Sequence, residues 1–199
     1  MINWFKAAIC CFFLFSFTAL KASPRFDNNE NIVLTSSVET YRYVYSKSKN
    51  LVEIKGEIVN RYQCRNFREK GIFYEFFDDH TLLDGVELIE DGKKRAASRE
   101  LKDYTIVGIF YSDAKIYDLE LNFSRSGTEN EVRLKKTIMD PRYFCNLFFP
   151  ESYPVVRKEI VVIVPRWMKT DIREYNFEGY HVTRSQTYSE KEEADVYTF

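Results

Sequence analysis

The sequence has little of what builds phosphate loops, linkers or metal sites. Its 7 glycines and 5 prolines are scattered through 199 residues, which excludes a glycine-rich phosphate cradle and a flexible linker. The two histidines, His80 and His181, are about a hundred residues apart, and neither has a Cys or His companion at metal-ligand spacing. Asp78-Asp79-His80 could hold a cation, but a solvated polar turn explains it more simply. The sequence therefore predicts no metal and no cofactor.

Cysteine is scarce as well. Cys10 and Cys11 lie in the N-terminal apolar stretch, which leaves Cys64 and Cys145 for the rest of the chain. The two could form one disulfide, worth about 3–5 kcal/mol if unstrained, or could be two separately buried thiols. A catalytic thiolate is disfavoured because Cys145 has apolar neighbours, which raise a thiol pKa, and neither cysteine follows a predicted helix N-terminus. We therefore expect no catalytic site in this chain.

The longest apolar run is at the N-terminus and predicts export. Lys6 precedes Ala7 to Leu20, a run of about 14 residues, which suits a secretory signal but is shorter than the ~20 that a membrane-spanning helix needs. The small residue Ala22 before Ser23 predicts cleavage between them, with residues 1–22 as the signal peptide. The alternatives are an uncleaved anchor and a buried N-terminal helix. We expect a periplasmic or extracellular protein that has no membrane segment after cleavage.

The chain also lacks a large excess of positive or of negative charge. Residues 1–22 contain Lys6 and Lys21 and no acid, so the predicted mature chain keeps 27 basic and 30 acidic residues, a formal charge of −3. Nucleic-acid binding needs a concentrated basic surface, so a near-neutral chain argues against it. The expected partners are another protein, a downstream domain of the same protein, a glycan or a peptide.

Aromatic and β-branched residues are abundant, and they alternate with polar ones along most of the chain. Such period-2 alternation is typical of half-buried strands. Glu90-Asp91-Gly92-Lys93 carries hairpin-turn residues, and Ile160 to Val164 is a β-branched run suited to a strand buried on both faces. Further strands are predicted at positions 41–46, 52–64, 73–77, 86–89, 94–97, 103–111, 117–123, 132–138, 172–177, 180–188 and 195–199.

Short strands at regular spacing, with polar turns and no helical periodicity, predict an all-β, antiparallel two-sheet sandwich. We expect residues 23–50 to hold an N-terminal segment and the first strand, and residues 51–199 to form the sandwich. The final positions, 195–199, alternate like a strand without a polar tail, which predicts that the protein continues beyond Phe199.

One row of aromatic residues is a candidate binding surface. Tyr41, Tyr43 and Tyr45 would lie on one side of a strand, where exposed tyrosine rings could stack on a sugar or a peptide. The alternative, that this row packs into the sandwich core, is the simpler interpretation.

Several segments from about Val52 onward combine apolar strand residues with turn residues. They are Gly108 to Tyr117, Asp140 to Phe144, Phe148-Phe149, Tyr153-Pro154-Val155 and Ile163 to Trp167. In these segments the chain resembles the β-rich domain of unknown function that precedes a transglutaminase-like domain in large exported bacterial proteins. The resemblance rests on packing and turn patterns, so it implies no active-site residue at any position of this sequence.

The resemblance implies which kind of domain lies next to this one in the full protein. Such proteins pair a non-catalytic β-sandwich with a papain-like core built around Cys, His and Asp. We therefore expect a scaffold or recognition module beside a transglutaminase-like domain. A free-standing module that binds a glycan or a peptide is the alternative.

Overall fold

A computed structural model describes residues 30–104, 114–144, 146–178 and 180–199. Within these ranges it contains strands, one turn of 3-10 helix at Pro141–Tyr143 and no α-helix. No helix in this part of the chain is long and apolar enough to cross a membrane. The strands are β1 (Ile32–Ser46), β2 (Leu51–Cys64), β3 (Glu69–Phe77), β4 (Thr81–Glu90), β5 (Lys93–Arg95), β6 (Lys102–Asp103), β7 (Lys115–Phe123), β8 (Glu129–Ile138), β9 (Lys158–Pro165), β10 (Ser185–Ser189) and β11 (Ala194–Thr198).

The strands form two sheets, which confirms the predicted all-β sandwich. The large sheet has eight strands in the order β10-β11-β9-β1-β2-β8-β4-β5, and the small one has three in the order β3-β7-β6. Neighbouring strands are antiparallel except for β1 and β9, which are parallel. β1, which comes from the predicted N-terminal segment 23–50, lies in the middle of the large sheet.

The inner face of the large sheet carries two apolar clusters. In the first, side chains from β1, β2, β4 and β8 pack against Phe73, Phe77, Tyr117 and Leu121 of the small sheet. In the second, residues from β1, β2, β8, β9 and β11 pack against the segments around Phe144–Phe149 and Met168. The small sheet therefore covers one half of the inner face, and the loops after β8 and β9 cover the other.

Local patterns predicted several elements correctly. Residues 54, 58, 62 and 64 of β2 are buried, and the intervening charged residues 55, 57 and 61 are exposed. Asp91 and Gly92 connect β4 to β5 with φ angles of 47° and 75°, the two left-handed positions of a type I′ hairpin turn. β9 is buried mainly at Ile160 and positions 162–164.

The predicted strand at 172–177 is wrong, and the one at 180–188 is shorter than expected. Residues 172–177 form no strand, and in the second segment only Ser185–Ser189 pairs, with β11. Asn176 has a φ angle of 59°, which breaks an extended backbone. Alternation alone cannot make a strand without a neighbour to take its backbone hydrogen bonds. Of the predicted strand at 103–111, the structure describes positions 103 and 104, and Asp103 belongs to β6 (Lys102–Asp103). Residues 105–113 lie outside the described ranges.

Candidate binding cleft

A cleft of about 580 Å³ opens at the end of the sandwich where β3 begins and β7 ends. Its size lies within the 300–1,000 Å³ of small-molecule sites. The β4–β5 hairpin closes one side, and Phe67, whose side chain is 63% exposed, lies on the other. The charged residues that line it are Arg68, Glu69, Lys70, Glu90, Asp91, Lys93 and Arg95.

Both signs of charge line this cleft, and several of the charged residues already have partners. Arg95 Nε is 3.1 Å from Glu90 Oε2. Asp91 accepts from Arg125 at 3.2 Å. Lys70 turns toward Glu120, 3.0 Å away on β7. Each of these ion pairs neutralises a charged residue in the wall of the cleft.

Two cations of the cleft have no ion pair within the described ranges. Lys93 is exposed at the start of β5, directly after the Asp91-Gly92 turn. Arg68 places its guanidinium carbon 5.0 Å from the centre of the Phe67 ring, an arrangement that leaves its N–H donors without a carboxylate. The next residue, Lys94, points to the other face of the sheet and pairs with Glu87 at 2.6 Å. The cleft therefore has an excess of positive charge.

Buried polar atoms without a partner lie at the same end of the molecule. Thr128 lines the cleft with only 4% of its surface exposed, and its hydroxyl makes no hydrogen bond to the described residues. Asn130, the second residue of β8, donates from Nδ2 to the Asn122 carbonyl at 3.0 Å, but its Oδ1 accepts from no described residue. Buried polar atoms in native proteins are nearly always hydrogen-bonded, so each of these atoms has capacity for a ligand or a water molecule.

A second polar feature, the polar seam, separates the two apolar clusters on the inner face of the large sheet. Lys158 lies between Glu39, 2.7 Å away, and Glu151, and Lys136 pairs with Glu75 at 2.6 Å. The members of the seam are Glu39 and Tyr41 of β1, Glu75 of β3, Lys136 of β8, Glu151, and Lys158 of β9.

The seam crosses β2 at Gly56. A Cβ atom there would lie 3.0 Å from Lys136 Cγ and 3.3 Å from Tyr41 Cε1, so a larger residue would make these side chains shift by a few tenths of an ångström. Tyr41 donates from its hydroxyl to Glu39 at 2.7 Å. Burial raises the pKa of Tyr41, and the nearby carboxylates of Glu39 and Glu75 raise it further. The phenol therefore stays protonated and serves as a hydrogen-bond donor.

Three carboxylates and two ammonium groups leave the seam with an excess of negative charge. Burial raises the pKa of Glu151, and the neighbouring Glu39 and Glu75 add to the effect, while Lys158 opposes it. The pKa of Lys158 is also raised, because its two carboxylate neighbours outweigh its own burial. The seam could exchange a proton through Glu151, but its charged groups are mostly buried within the sandwich.

The sequence contained a signal for the seam that alternation alone did not reveal. Glu39 has the same parity as Tyr41 and Tyr43, and Lys136 has the same parity as Leu134 and Ile138. When a charged residue occupies one of the alternate positions that are otherwise apolar and buried, it needs an oppositely charged or hydrogen-bonding neighbour in the core. Which partner it finds depends on the packing of the two sheets, and one sequence does not supply that.

The predicted aromatic row is divided between the core and the surface. Tyr41 and Tyr43 are buried, and Phe144 covers them with ring centres at 4.7 and 6.0 Å. Tyr45 is 46% exposed and contacts the edge of Trp167 at 6.4 Å. Because two of the three rings are covered, the row does not form a continuous stacking surface.

Cys64 is buried at the end of β2, and its sulfur lies 2.9 Å from the Asn66 carbonyl oxygen, to which a thiol there donates. Cys145 lies outside the described residues, as do Ala22 and Ser23 of the predicted cleavage site. The disulfide and the cleavage site therefore stay predictions.

The two histidines and their neighbours show no metal-binding arrangement. His80 stacks on Tyr143 with ring centres 3.6 Å apart, and its backbone N–H donates to Asp78 Oδ1 at 3.0 Å, which makes a local turn. Within the described ranges, no group of three or more His, Cys, Asp or Glu side chains could hold a metal ion.

No family model and no curated protein matches this chain. Among solved structures, it is similar to a Legionella pneumophila protein described as nutrient-binding, with 12% identity, 85% of this chain and 62% of that chain covered, and a TM-score of 0.43. An M1 zinc metallopeptidase from Deinococcus radiodurans gives 10% identity, coverage of 86% and 39%, and a TM-score of 0.42. Yeast LTA4 hydrolase gives 10% identity, coverage of 90% and 28%, and a TM-score of 0.39.

The chain thus spans less than two thirds of each of these proteins, and TM-scores at this level carry no inference about function. None of the three is described as a transglutaminase-like protein. The resemblance to the domain that precedes transglutaminase-like cores remains a prediction from the sequence.

Proposed function

We propose that this chain is a non-enzymatic, extracytoplasmic recognition module that binds a carboxylate-bearing peptide in the cleft between β3 and the β4–β5 hairpin. The observation that carries the proposal is the pair of cations, Lys93 and Arg68, which have no ion-pair partner among the described residues. A guanidinium and an ammonium are suited to a carboxylate.

A short peptide fits these walls better than a neutral sugar does. Acidic side chains at Glu90 and Asp91 lie beside the cations, so the cleft can bond N–H groups as well as carboxylate oxygens. The exposed Phe67 ring supplies apolar contact area at the rim. A neutral glycan could stack on the Phe67 ring, but it would leave the two cations without a partner.

The wider setting is proposed from the sequence alone. The N-terminal apolar stretch supports export, and the resemblance supports a transglutaminase-like domain after Phe199, for which this module would hold a substrate or a partner protein. Reading the gene beyond the codon for Phe199 tests that setting. A helix-borne cysteine followed by His and Asp is expected there, and a stop codon would leave a free-standing binding module.

The cleft itself is tested by titrating the ¹⁵N-labelled chain with trialanine, with trialanine amide and with chitotriose. We expect trialanine to shift the amide resonances of residues around Arg68, Lys93 and Thr128. Trialanine amide, which lacks the carboxylate, should bind roughly tenfold more weakly, since a charge-assisted hydrogen bond is worth about 1.5–3 kcal/mol. Lys93→Gln should reproduce that loss for trialanine.

The matched control is Lys94→Gln, which removes the neighbouring charge on the opposite face of the same hairpin and should leave binding unchanged. Equal binding of the peptide acid and its amide would overturn the carboxylate assignment. Tighter binding of chitotriose at the same residues would make the cleft a glycan site. If none of the three probes shifts cleft residues, the proposed function is wrong.

A further inference from the structure

The two edges of the eight-stranded sheet are built differently. At one edge, β5 has three residues, and all of them, Lys93 to Arg95, are basic. A short, charged edge strand is a common device against sheet-to-sheet association. At the other edge, β10 (Ser185–Ser189) has five residues with neither charge nor proline, and four of them are exposed. The β10 edge carries no such protection.

The backbone groups that β10 presents at this edge follow from the register of its neighbours. Phe199 exchanges both backbone hydrogen bonds with Ile160 at 3.0 Å, so the odd-numbered residues of β11 point toward β9 and the even-numbered ones toward β10. The residues of β10 that pair with even-numbered β11 positions are Ser185, Thr187 and Ser189. Gln186 and Tyr188 therefore direct their N–H and C=O groups outward, and no described residue bonds to them.

The edge is complementary to itself. If two copies pair antiparallel about a two-fold axis at Thr187, Gln186 of one lies opposite Tyr188 of the other, and the two residues exchange backbone hydrogen bonds. The same register places Arg184 opposite Glu190 at both ends of the pairing. Glu190 is exposed and has no ion pair within the described ranges. Opposite charges at facing positions favour this register over a shifted one.

Exposed aromatic side chains surround the same edge. Tyr188 lies on it, and Tyr175 and Tyr180, which are 70% and 72% exposed, come from the segment that leads into β10. Glu174, next to Tyr175, accepts from Arg184 at 3.0 Å, which holds this segment near the edge. Tyrosine is enriched at protein interfaces because it buries a large area and still bonds to water at the rim.

We propose that two copies of this chain associate by antiparallel pairing of their β10 strands, so that their two large sheets become one. The binding cleft lies at the opposite, β5 end of the sheet, and the dimer leaves both clefts open. The proposal is therefore independent of the proposed function, and either can fail alone.

Sedimentation velocity of the mature chain, from 1 to 500 µM, tests the association. We expect a dimer at the upper concentrations, and we expect Gln186→Pro to abolish it. That proline removes an outward N–H and no backbone hydrogen bond within the chain. It also removes one exposed side-chain hydrogen bond, from Gln186 Nε2 to the Tyr197 hydroxyl at 3.2 Å, so the fold should persist, as circular dichroism can verify. Lys94→Pro is the matched control. Glu90 and Lys93 close the two-residue hairpin, so the N–H of Lys94 also points outward, at the other edge, and this variant should still dimerise.

Cross-linking tests the register without relying on the proline variants. Thr187→Cys places two thiols at facing positions on the two-fold axis, within the Cα separation that a disulfide allows. It should give an oxidised band at twice the mass, above the background of the native cysteines. Ser185→Cys faces position 189 of the other copy, so its two thiols are too far apart and no such band should form. A monomer at 500 µM, a dimer that survives Gln186→Pro in a folded chain, or equal cross-linking of both cysteine variants would overturn the proposal.

Discussion

At the scale of single residues, the sequence predicts which side chains are buried better than it predicts their hydrogen-bond and ion-pair partners. Tyr41 and Tyr43 are buried, in line with the core interpretation of the aromatic row, and Cys64 lies inside as the alternation of β2 indicates. The hydrogen bond from Tyr41 to Glu39 and the position of Lys158 between two carboxylates have no counterpart in local pattern. Lys158 and Glu39 are distant in sequence, and their contact depends on the pairing of β1 with β9.

Glu151 gives a prediction about pH at this scale. Burial raises its pKa in the folded state above the value of 4.5 in the unfolded chain. The folded state then binds the proton more tightly, so the stability contribution is full below pH 4.5 and is lost as the pH rises through the folded pKa. Relative to Glu151→Gln, the wild-type free energy of unfolding should fall with rising pH in that window. Urea denaturation at a series of pH values from about 3 to 8 measures it and also covers the lower window of the control.

Glu131→Gln is the control for this prediction, because it has the opposite sign. Burial would raise the pKa of Glu131, but its hydrogen bonds from Arg61 and Arg133 outweigh burial and lower it. Its contribution is therefore present above pH 4.5 and is lost as the pH falls through the folded pKa. The difference in free energy of unfolding between each variant and wild type should therefore change with pH in opposite directions. If both differences change in the same direction, the conclusion that burial in the polar seam raises the pKa of Glu151 is wrong.

At the scale of strands and turns, the period-2 pattern was reliable wherever a neighbouring strand exists. It identified most strands of both sheets, and turn chemistry placed the Asp91-Gly92 hairpin. It failed at residues 172–177, where the consecutive residues 173–176 are exposed and Asn176 adopts a left-handed backbone. Period-2 alternation indicates which side chains could lie on the same face of a strand. It does not indicate whether a neighbouring strand is available to form backbone hydrogen bonds.

The free edge of β3 supplies a prediction at this scale. Tyr153 places its hydroxyl at that edge, where it accepts from the Ile72 N–H at 2.8 Å and donates to the Ile72 carbonyl at 3.0 Å. Tyr153→Phe leaves both backbone groups without these bonds and should lower the free energy of unfolding by about 1–3 kcal/mol. Chemical denaturation measures the change.

Tyr143→Phe is the matched control for Tyr153→Phe. The Tyr143 ring is half exposed and stacks on His80, and its hydroxyl makes no hydrogen bond to the described residues. Its loss should change stability by less than about 0.5 kcal/mol, as is usual at the surface. Equal effects of the two substitutions would show that Tyr153 acts through its ring packing on Tyr62 rather than by closing the strand edge.

At the scale of the whole molecule, the sequence predicted the sandwich but neither the cleft nor the difference between the two sheet edges. The cleft forms where the ends of the two sheets meet, and its charged residues come from loops and strand ends far apart in the chain. The sequence identified Lys93 as a turn residue. Its position in the cleft wall follows only from the packing of the β4–β5 hairpin beside the ends of β3 and β7. The strand order that brings β10 to one edge and β5 to the other is likewise a property of the assembled sheet.

The N-terminal segment gives the last prediction, which concerns where the molecule resides. If residues 1–22 act as a signal peptide, the exported protein begins at Ser23, because a small residue at position 22 fits the signal-peptidase site. N-terminal sequencing and intact mass of protein recovered from the periplasm or the medium check this. Ala22→Tyr should leave the precursor uncleaved, whereas Ser23→Ala, a change on the other side of the bond, should be processed normally. Exported material that begins at Met1 would contradict the prediction and make the segment an anchor.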